Sequence, residues 1–306
     1  MDGVEVVRLV AQGQDGVVTL AQAREAGLTA HDVDRLCRAG RWQRLARGAY
    51  LVDPQAVAPR RARIRAAVAS AGAGAVAALG TAAELHGIAG LRQSQAIHVT
   101  VAGSAAKPHR RTDPALVIHQ LAVLPEEVCA VGGIPTTTPV RTAADLILRV
   151  DRYVAVSVLD SALNRELIQP EELAAIPALI RGRRGAVAAR VHLTEADGRA
   201  QSPLETRVRL RCVDGRVRPD ALQHAVCDED GYILGVGDLA WLRARIIGEA
   251  DGKAPHSLPD AVFQDRRRQN RLANAGWLIL RFTWQDTLDP GYIPYVVRAA
   301  LLSRIR

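Results

Sequence analysis

Lysine is almost missing from this strongly basic chain: of its 40 basic residues, only Lys107 and Lys253 are lysines. A compact ammonium serves where a planar guanidinium does poorly, so Lys253, which follows Glu249 and Asp251, is a candidate for a point-charge role. Aromatic residues make up 4% of the chain, which leaves aliphatic side chains and alanine to build its cores. Cysteine is scarce and scattered. Cys37, Cys129, Cys212 and Cys227 form no Cys-x-x-Cys pair and have no histidines at matching spacing. That argues against a zinc site or a disulfide framework and fits a reducing cytoplasm. Long apolar runs are lacking too. Residues 66–83 are rich in alanine but broken by Gly72, Gly74 and Gly80, and Asp2 and Glu5 stand where a secretory leader would be basic and then apolar. Neither segment has the pattern of a bilayer span or a leader. The expectation is a soluble, cytoplasmic protein with no membrane partner.

What is present points to a folded protein of two or three domains. The chain has 306 residues, 48% of them hydrophobic and 24% charged, enough to bury substantial cores. Its net charge of +8 and isoelectric point near 9.9 favour an anionic partner, nucleic acid first and a membrane surface second. The joint excess of arginine and alanine is that of a GC-rich genome, so arginine placement says more than arginine count.

The first of three stretches spans residues 1–57. A short helix is expected over residues 4–10. Thr19 can cap a helix that runs to Ala26 and stops at Gly27, and Thr29 a second that runs to Ala39 and stops at Gly40. Val33, Leu36 and Cys37 recur at helical spacing and would form the buried face of that second helix. Two short helices joined by a glycine turn have the shape of a helix-turn-helix, and residues 42–52 read as two strands forming a wing. Arg35, Arg38, Arg41, Arg44 and Arg47 fall on the second helix and wing, where contacts to double-stranded DNA would lie. Asp32 and Asp34 oppose such contacts. A solvated helical domain, or a winged helix that binds protein, are the other readings.

Residues 58–200 form a middle stretch without a catalytic pattern. A basic helix opening at Arg60 is expected to run on into the alanine-rich segment. Ile97–Val101 and Leu116–His119 alternate as strands, with a basic loop between them at Lys107, His109, Arg110 and Arg111. Thr138 and Pro139 open a helix, and two more are expected over residues 153–165 and from Pro170. His86, His98 and His119 read as isolated packing residues, and residues 181–185 as a mobile basic linker. The stretch is expected to connect and to mediate interactions.

Residues 201–306 carry the chemistry if there is any. Ser202, Pro203 and Glu205 make a capping-box start, and the element order reads α-β-β-β-α-β-α. Residues 246–253 read as a strand, on which Glu249, Asp251 and Lys253 share one face. Asp238 comes from the preceding strand. Three carboxylates make a hard-oxygen site for Mg²⁺, and an ammonium could balance a phosphate or a developing oxyanion. Asp251-Gly252 is equally a hairpin-turn dipeptide, in which case these charges are a solvated strand end. Arg266, Arg267, Arg268 and Arg271 give a helix face suited to following a nucleic-acid backbone, or one merely solvated.

The order of elements, with carboxylates on the second and third strands, resembles the PD-(D/E)XK nuclease fold, in particular its very-short-patch-repair branch. The matching motifs are Ser202-Pro203-Leu204-Glu205, Gly237-Asp238-Leu239-Ala240-Trp241, Glu249-Ala250-Asp251-Gly252-Lys253, Asp265-Arg266-Arg267-Arg268-Gln269-Asn270-Arg271-Leu272 and Gly276-Trp277-Leu278-Ile279-Leu280-Arg281-Phe282-Thr283-Trp284. The whole layout is similar to that of actinobacterial AbiEi-like antitoxins. The nuclease resemblance implies that Asp238 and Glu249 hold Mg²⁺ (or Mn²⁺), that Asp251 assists, that Lys253 positions water or stabilises charge, and that Glu205 stands at the edge of the site. The fold's usual lysine lies two residues after its acid. Here Asp251-Gly252-Lys253 and Glu249-Ala250-Asp251 are alternative registers, and the sequence does not choose between them. The antitoxin resemblance implies repression of the protein's own operon by the winged helix, with a nucleotidyltransferase toxin as partner. The expected architecture is therefore α/β and multidomain, and the expected role a DNA-binding antitoxin-like regulator of a toxin-antitoxin or phage-defence locus. An active Mg²⁺-dependent endonuclease and a pure protein-interaction module are the alternatives.

Overall fold

The computed structural model describes residues 2–55, 57–101, 115–252 and 259–304, with backbone alone over 259–265. The chain divides into two compact units, Met1–Leu146 and Ile147–Arg306.

The first unit opens with α1 (Gly3–Gln12), β1 (Val17–Thr19), α2 (Leu20–Glu25), α3 (Ala30–Arg38), β2 (Trp42–Ala46) and β3 (Ala49–Val52), the three strands forming one antiparallel sheet in the order β1-β3-β2. Each helix begins at a reciprocal cap. Asp2 pairs with Glu5, Thr19 with Gln22 and Thr29 with Asp32, satisfying amides that a helix start otherwise leaves bare. One face of the sheet closes over Val7, Val18, Ala23, Val33, Leu36, Trp42 and Tyr50. The other face, with Val17, Ala49 and Leu51, packs on Ala62 and Ala66 of α4 (Arg60–Ala71).

α4 runs into the alanine-rich segment as expected, but ends at Ala71. Gly72 and Gly74, at φ of +108° and +74°, turn the chain out of α4. Ala75–Ala77 then forms β4, and Leu79–His86 forms α5. β4 is the centre of a five-stranded sheet with β5 (Ile97–Val101), β6 (Leu116–His119), β7 (Val128–Val131) and β8 (Ile134–Thr137), in the order β6-β5-β4-β8-β7. Methyl-sized side chains at Ala67, Ala71, Ala75 and Ala77 let helix and sheet approach closely around Ile64, Ile97, Val99 and Ile134. His86 is the packing residue expected, its Nε2 lying 2.7 Å from the Thr137 carbonyl. His98 and His119 are not isolated: adjacent on paired strands, their rings stack at 5.2 Å, with His98 Nδ1 2.9 Å from His119 Nε2. α6 (Pro139–Ile147) follows β8. The expected basic loop at residues 107–111 lies outside the described residues.

In the second unit, α7 (Arg152–Asn164), α8 (Pro170–Leu179) and α9 (Ala186–Thr194) precede α10 (Pro203–Asp214). Residues 181–185 are not a linker. They form a tight turn in which Gly185, at φ +91°, stands so close to Leu148 that an added Cβ would come within 2.6 Å of its carbonyl oxygen. Asp160 of α7, 1% exposed, accepts from Arg209 and Thr206 of α10 (both 2.7 Å) and from the Asp197 amide. A four-stranded sheet follows: β9 (Ala221–Cys227), β10 (Ile233–Trp241), β11 (Ile246–Ala250) and β12 (Leu278–Phe282), in the order β12-β11-β10-β9. The first three strands run antiparallel as a meander, and β12 pairs parallel to β11. A parallel neighbour needs a crossover, which α11 (Pro259–Asn274) supplies. The core on one face joins Leu204, Val208 and Cys212 of α10 and Ile293 and Val297 of α12 (Tyr292–Arg304) to Leu239, Trp241, Ile246 and Phe282. On the other face, Leu272 of α11 meets Val226 and Ile247. β11 is covered on both sides, which is why Ile246 and Ile247 are consecutive apolar residues there rather than alternating ones. The α-β-β-β-α-β-α order is as the sequence reads.

Candidate functional site

The winged-helix elements place all five expected arginines at the surface. Arg35 and Arg38 lie on α3, Arg41 in the turn after it, Arg44 on β2 and Arg47 in the β2–β3 turn, and each is exposed. Val33, Leu36 and Trp42 are buried on the opposite side and fix the orientation of α3 against the sheet. The acidic residues hold some of these cations in place. Asp32 pairs with Arg35 at 2.9 Å and Asp34 with Arg44 at 3.5 Å, while Arg44 also lies over the Tyr50 ring at 5.6 Å. Solvent screens pairs at such exposure, so a phosphate could compete for the guanidinium.

The second candidate site lies at the β10–β11 strands. Asp238, Glu249, Ala250, Asp251, Arg268 and Arg281 line one cavity of about 230 Å³. Asp238 is positioned by two donors: the Ala250 amide at 2.8 Å and Gln223 Nε2 at 3.3 Å. The same Gln223 nitrogen donates to Glu205 at 2.9 Å, which ties the α10 carboxylate to the strand carboxylate. Gln223 sits at φ +48°, a conformation costing a non-glycine residue about 1 kcal/mol or more, and the bridging carboxamide occupies that position. Burial, reinforced by the charge of Asp238, holds the Glu205 carboxyl above the ordinary carboxylate range. Glu249 is 7% exposed and pairs with Arg268 at 2.7 Å and Arg281 at 3.2 Å, and Arg281 also reaches Asp251 at 3.4 Å.

The structure thus brings together Glu205, Asp238, Glu249 and Asp251. Asp251 does not turn a hairpin, since β11 pairs parallel with β12 and the Asp251 amide donates to the Phe282 carbonyl. Lys253 lies outside the described residues, and with it the choice between the two registers. Arg268 turns toward Glu249, whereas Arg267 and Arg271 of the same helix are exposed. Two partners were missed from sequence. Arg281 stands directly opposite Glu249 in the β11–β12 register, and Gln223 lies between positions paired with Gly237 and Leu239. Both positions follow from the sheet register, which no local signal in the sequence sets.

As oxygen donors, these carboxylates fit a hard divalent cation. Arginine already balances their charge, however, and among the described residues no three His, Cys, Asp or Glu groups meet as a metal-binding set.

Two family models match within the first 195 residues. Residues 5–52 match the family described as transcriptional regulator, AbiEi antitoxin, and residues 75–195 match the AbiEi antitoxin C-terminal domain. The chain belongs to the AbiEi-like antitoxin family. The first match covers the winged helix almost from end to end; the second begins at β4 and ends just after α9. The acidic cavity lies beyond both. Two Mycobacterium tuberculosis relatives, the uncharacterized proteins MT2308 and Rv2248, are each 33% identical over 221 residues, covering 72% of this chain and 79% of their own. The crystal structure of the RV2827C protein from the same organism is similar over 73% of this chain and 87% of its own, at 16% identity and a TM-score of 0.45. Among the described residues, no helix is long and apolar enough to cross a membrane.

Proposed function

We propose that this AbiEi-family chain is a DNA-binding antitoxin that represses transcription of its own locus through the winged helix. The observation that carries this is the joint exposure of Arg35, Arg38, Arg41, Arg44 and Arg47 on α3 and the wing, the elements such a fold inserts into and beside the major groove. α3 reads base edges, and the wing arginines anchor on phosphates. Its partner in this reading is a toxin, and the resemblance to AbiEi-like antitoxins suggests a nucleotidyltransferase. Titration of double-stranded DNA from the upstream region at several salt concentrations tests the reading. Arg44→Ala with Arg47→Ala lowers affinity and reduces the slope of log K against log salt by about two, one for each phosphate left without its arginine. An unchanged slope removes the wing from the interface.

A second reading concerns the acidic cavity, favoured by the convergence of Asp238, Glu249 and Asp251 on one space. It makes the second unit a nuclease-like domain in which those three carboxylates hold Mg²⁺ or Mn²⁺. The ion would lower the pKa of a bound water and neutralise charge on a scissile phosphate. Asp238 is oriented for that role by the Ala250 amide and Gln223, and the arginines would serve phosphate groups. Metal at 100 times its dissociation constant then stabilises the fold by about 2.7 kcal/mol, and Asp238→Asn removes the gain. A metal-independent melting temperature, with an intact plasmid after incubation, leaves only the regulator.

A further inference from the structure

A group of aromatic and arginine side chains in the second unit takes no part in either reading. Trp284, two residues beyond β12, is 50% exposed, while Trp42 and Trp241 are buried. The Arg207 guanidinium of α10 lies between two rings, 4.8 Å from the centre of Tyr153 and 5.3 Å from that of Trp284. Its Nε donates to Thr287 Oγ1 at 2.9 Å, and Thr287 in turn donates to the Trp284 carbonyl. Arg211 lies over Tyr153 at 4.7 Å, donates to its hydroxyl and binds the Thr287 carbonyl through two nitrogens. The stack is therefore braced from behind, with Thr287 fully buried.

Two features give the stack a direction. Among the described residues, Arg207 has no carboxylate at ion-pair distance, in contrast to Arg152 beside it, which is held by Glu195 and Asp214. The terminal nitrogens of Arg207 thus keep their charge for an outside anion. The stack also stands at the end of the sheet that carries the acidic cavity, since Phe282, two residues before Trp284, accepts from the Asp251 amide. A flat, half-exposed indole with a cation against it suits a group that is flat and anionic at once. An unpaired nucleobase with its phosphate has that chemistry; a base inside a duplex does not expose its face.

We propose that Trp284, backed by Arg207 and Tyr153, is a stacking platform for an unpaired base of single-stranded DNA, separate from the winged-helix surface. The base lies on Trp284 and its phosphate pairs with Arg207.

Tryptophan fluorescence of the full chain tests this directly. Adding a twelve-residue oligothymidine quenches the emission and shields Trp284 from acrylamide, and a duplex of equal length does neither. Trp284→Phe abolishes the fluorescence change but keeps affinity within about threefold, because phenylalanine also stacks. Trp284→Ala, with its melting temperature checked, weakens oligothymidine binding about tenfold, within the range found for loss of a base–aromatic stack. Arg207→Gln also weakens it and flattens its salt dependence. In Arg44→Ala/Arg47→Ala protein the quench persists. If duplex binding is unaffected there, the winged-helix reading fails and the platform stands. If that double variant abolishes the quench, or Trp284→Ala binds like wild type, the platform is wrong.

Discussion

The arginines of α3 and the wing and four arginines of the second unit, Arg209, Arg211, Arg268 and Arg281, are the same side chain in opposite situations. On α3 and the wing, Arg35, Arg38, Arg41, Arg44 and Arg47 are each exposed, and Arg35 and Arg44 pair with Asp32 and Asp34 at the surface. In the second unit, Arg209 and Arg211 are buried, and Arg268 and Arg281 are turned onto Glu249. A charge left in water costs little and is free to meet a phosphate. A charge taken out of water must be met by carboxylates and carbonyls, and it then holds structure together. The difference shows that the chain's excess of arginine is not a single property: partners decide whether each residue binds or builds.

Removing the Asp160 carboxylate should give the largest effect. Asp160→Ala strands Arg209 in the interior and lowers unfolding stability by about 3–5 kcal/mol in urea titrations; a loss under about 1 kcal/mol would place Arg209 with the exposed arginines. The Arg44→Ala/Arg47→Ala pair is the converse. Stability should change by less than about 0.5 kcal/mol while duplex affinity falls several-fold at low salt. Arg281→Gln tests the intermediate case. It removes one of the guanidinium groups facing Glu249, so Mg²⁺ should raise its melting temperature more than that of wild type. Equal shifts would mean that arginine and metal do not compete for those oxygens. The smallest effect concerns pH. The native Glu205 carboxyl binds its proton more tightly than in the unfolded chain, so the stability it contributes is complete in acid, below the unfolded pKa, and is lost as pH rises through the higher folded value. Glu205→Gln should match wild type in acid and exceed it slightly at neutral pH. Parallel stability curves would show that Gln201 and Gln223 fully offset the burial.

Local features carried most of what could be read in advance. Thr19, Thr29, Ser202 and Pro139 mark helix starts because a cap acts within three residues of itself. The winged-helix order and the α-β-β-β-α-β-α order followed from such signals together with apolar spacing. The failures involved distant partners. Ala75–Ala77 has no strand signature, and it becomes a strand because β5 and β8 flank it on the two sides. His98 and His119 looked solitary because the pairing of their strands, which joins them, spans 21 residues. Residues 181–185 looked loose because the contact that fixes Gly185 comes from Leu148.

At the candidate sites the division is the same. The sequence by itself determined which residues carry charge, that Glu249 lies on a strand, and which side of α3 turns outward, because helix and strand periodicities are properties of the chain; the strand ends at Ala250, one residue before Asp251. Only the tertiary structure decided that Glu249 meets two arginines, that one Gln223 nitrogen joins Glu205 to Asp238, and that Arg207 is caught between Tyr153 and Trp284. Each of those contacts joins positions at least 15 residues apart, and their geometry is set by sheet register and helix packing rather than by any local preference.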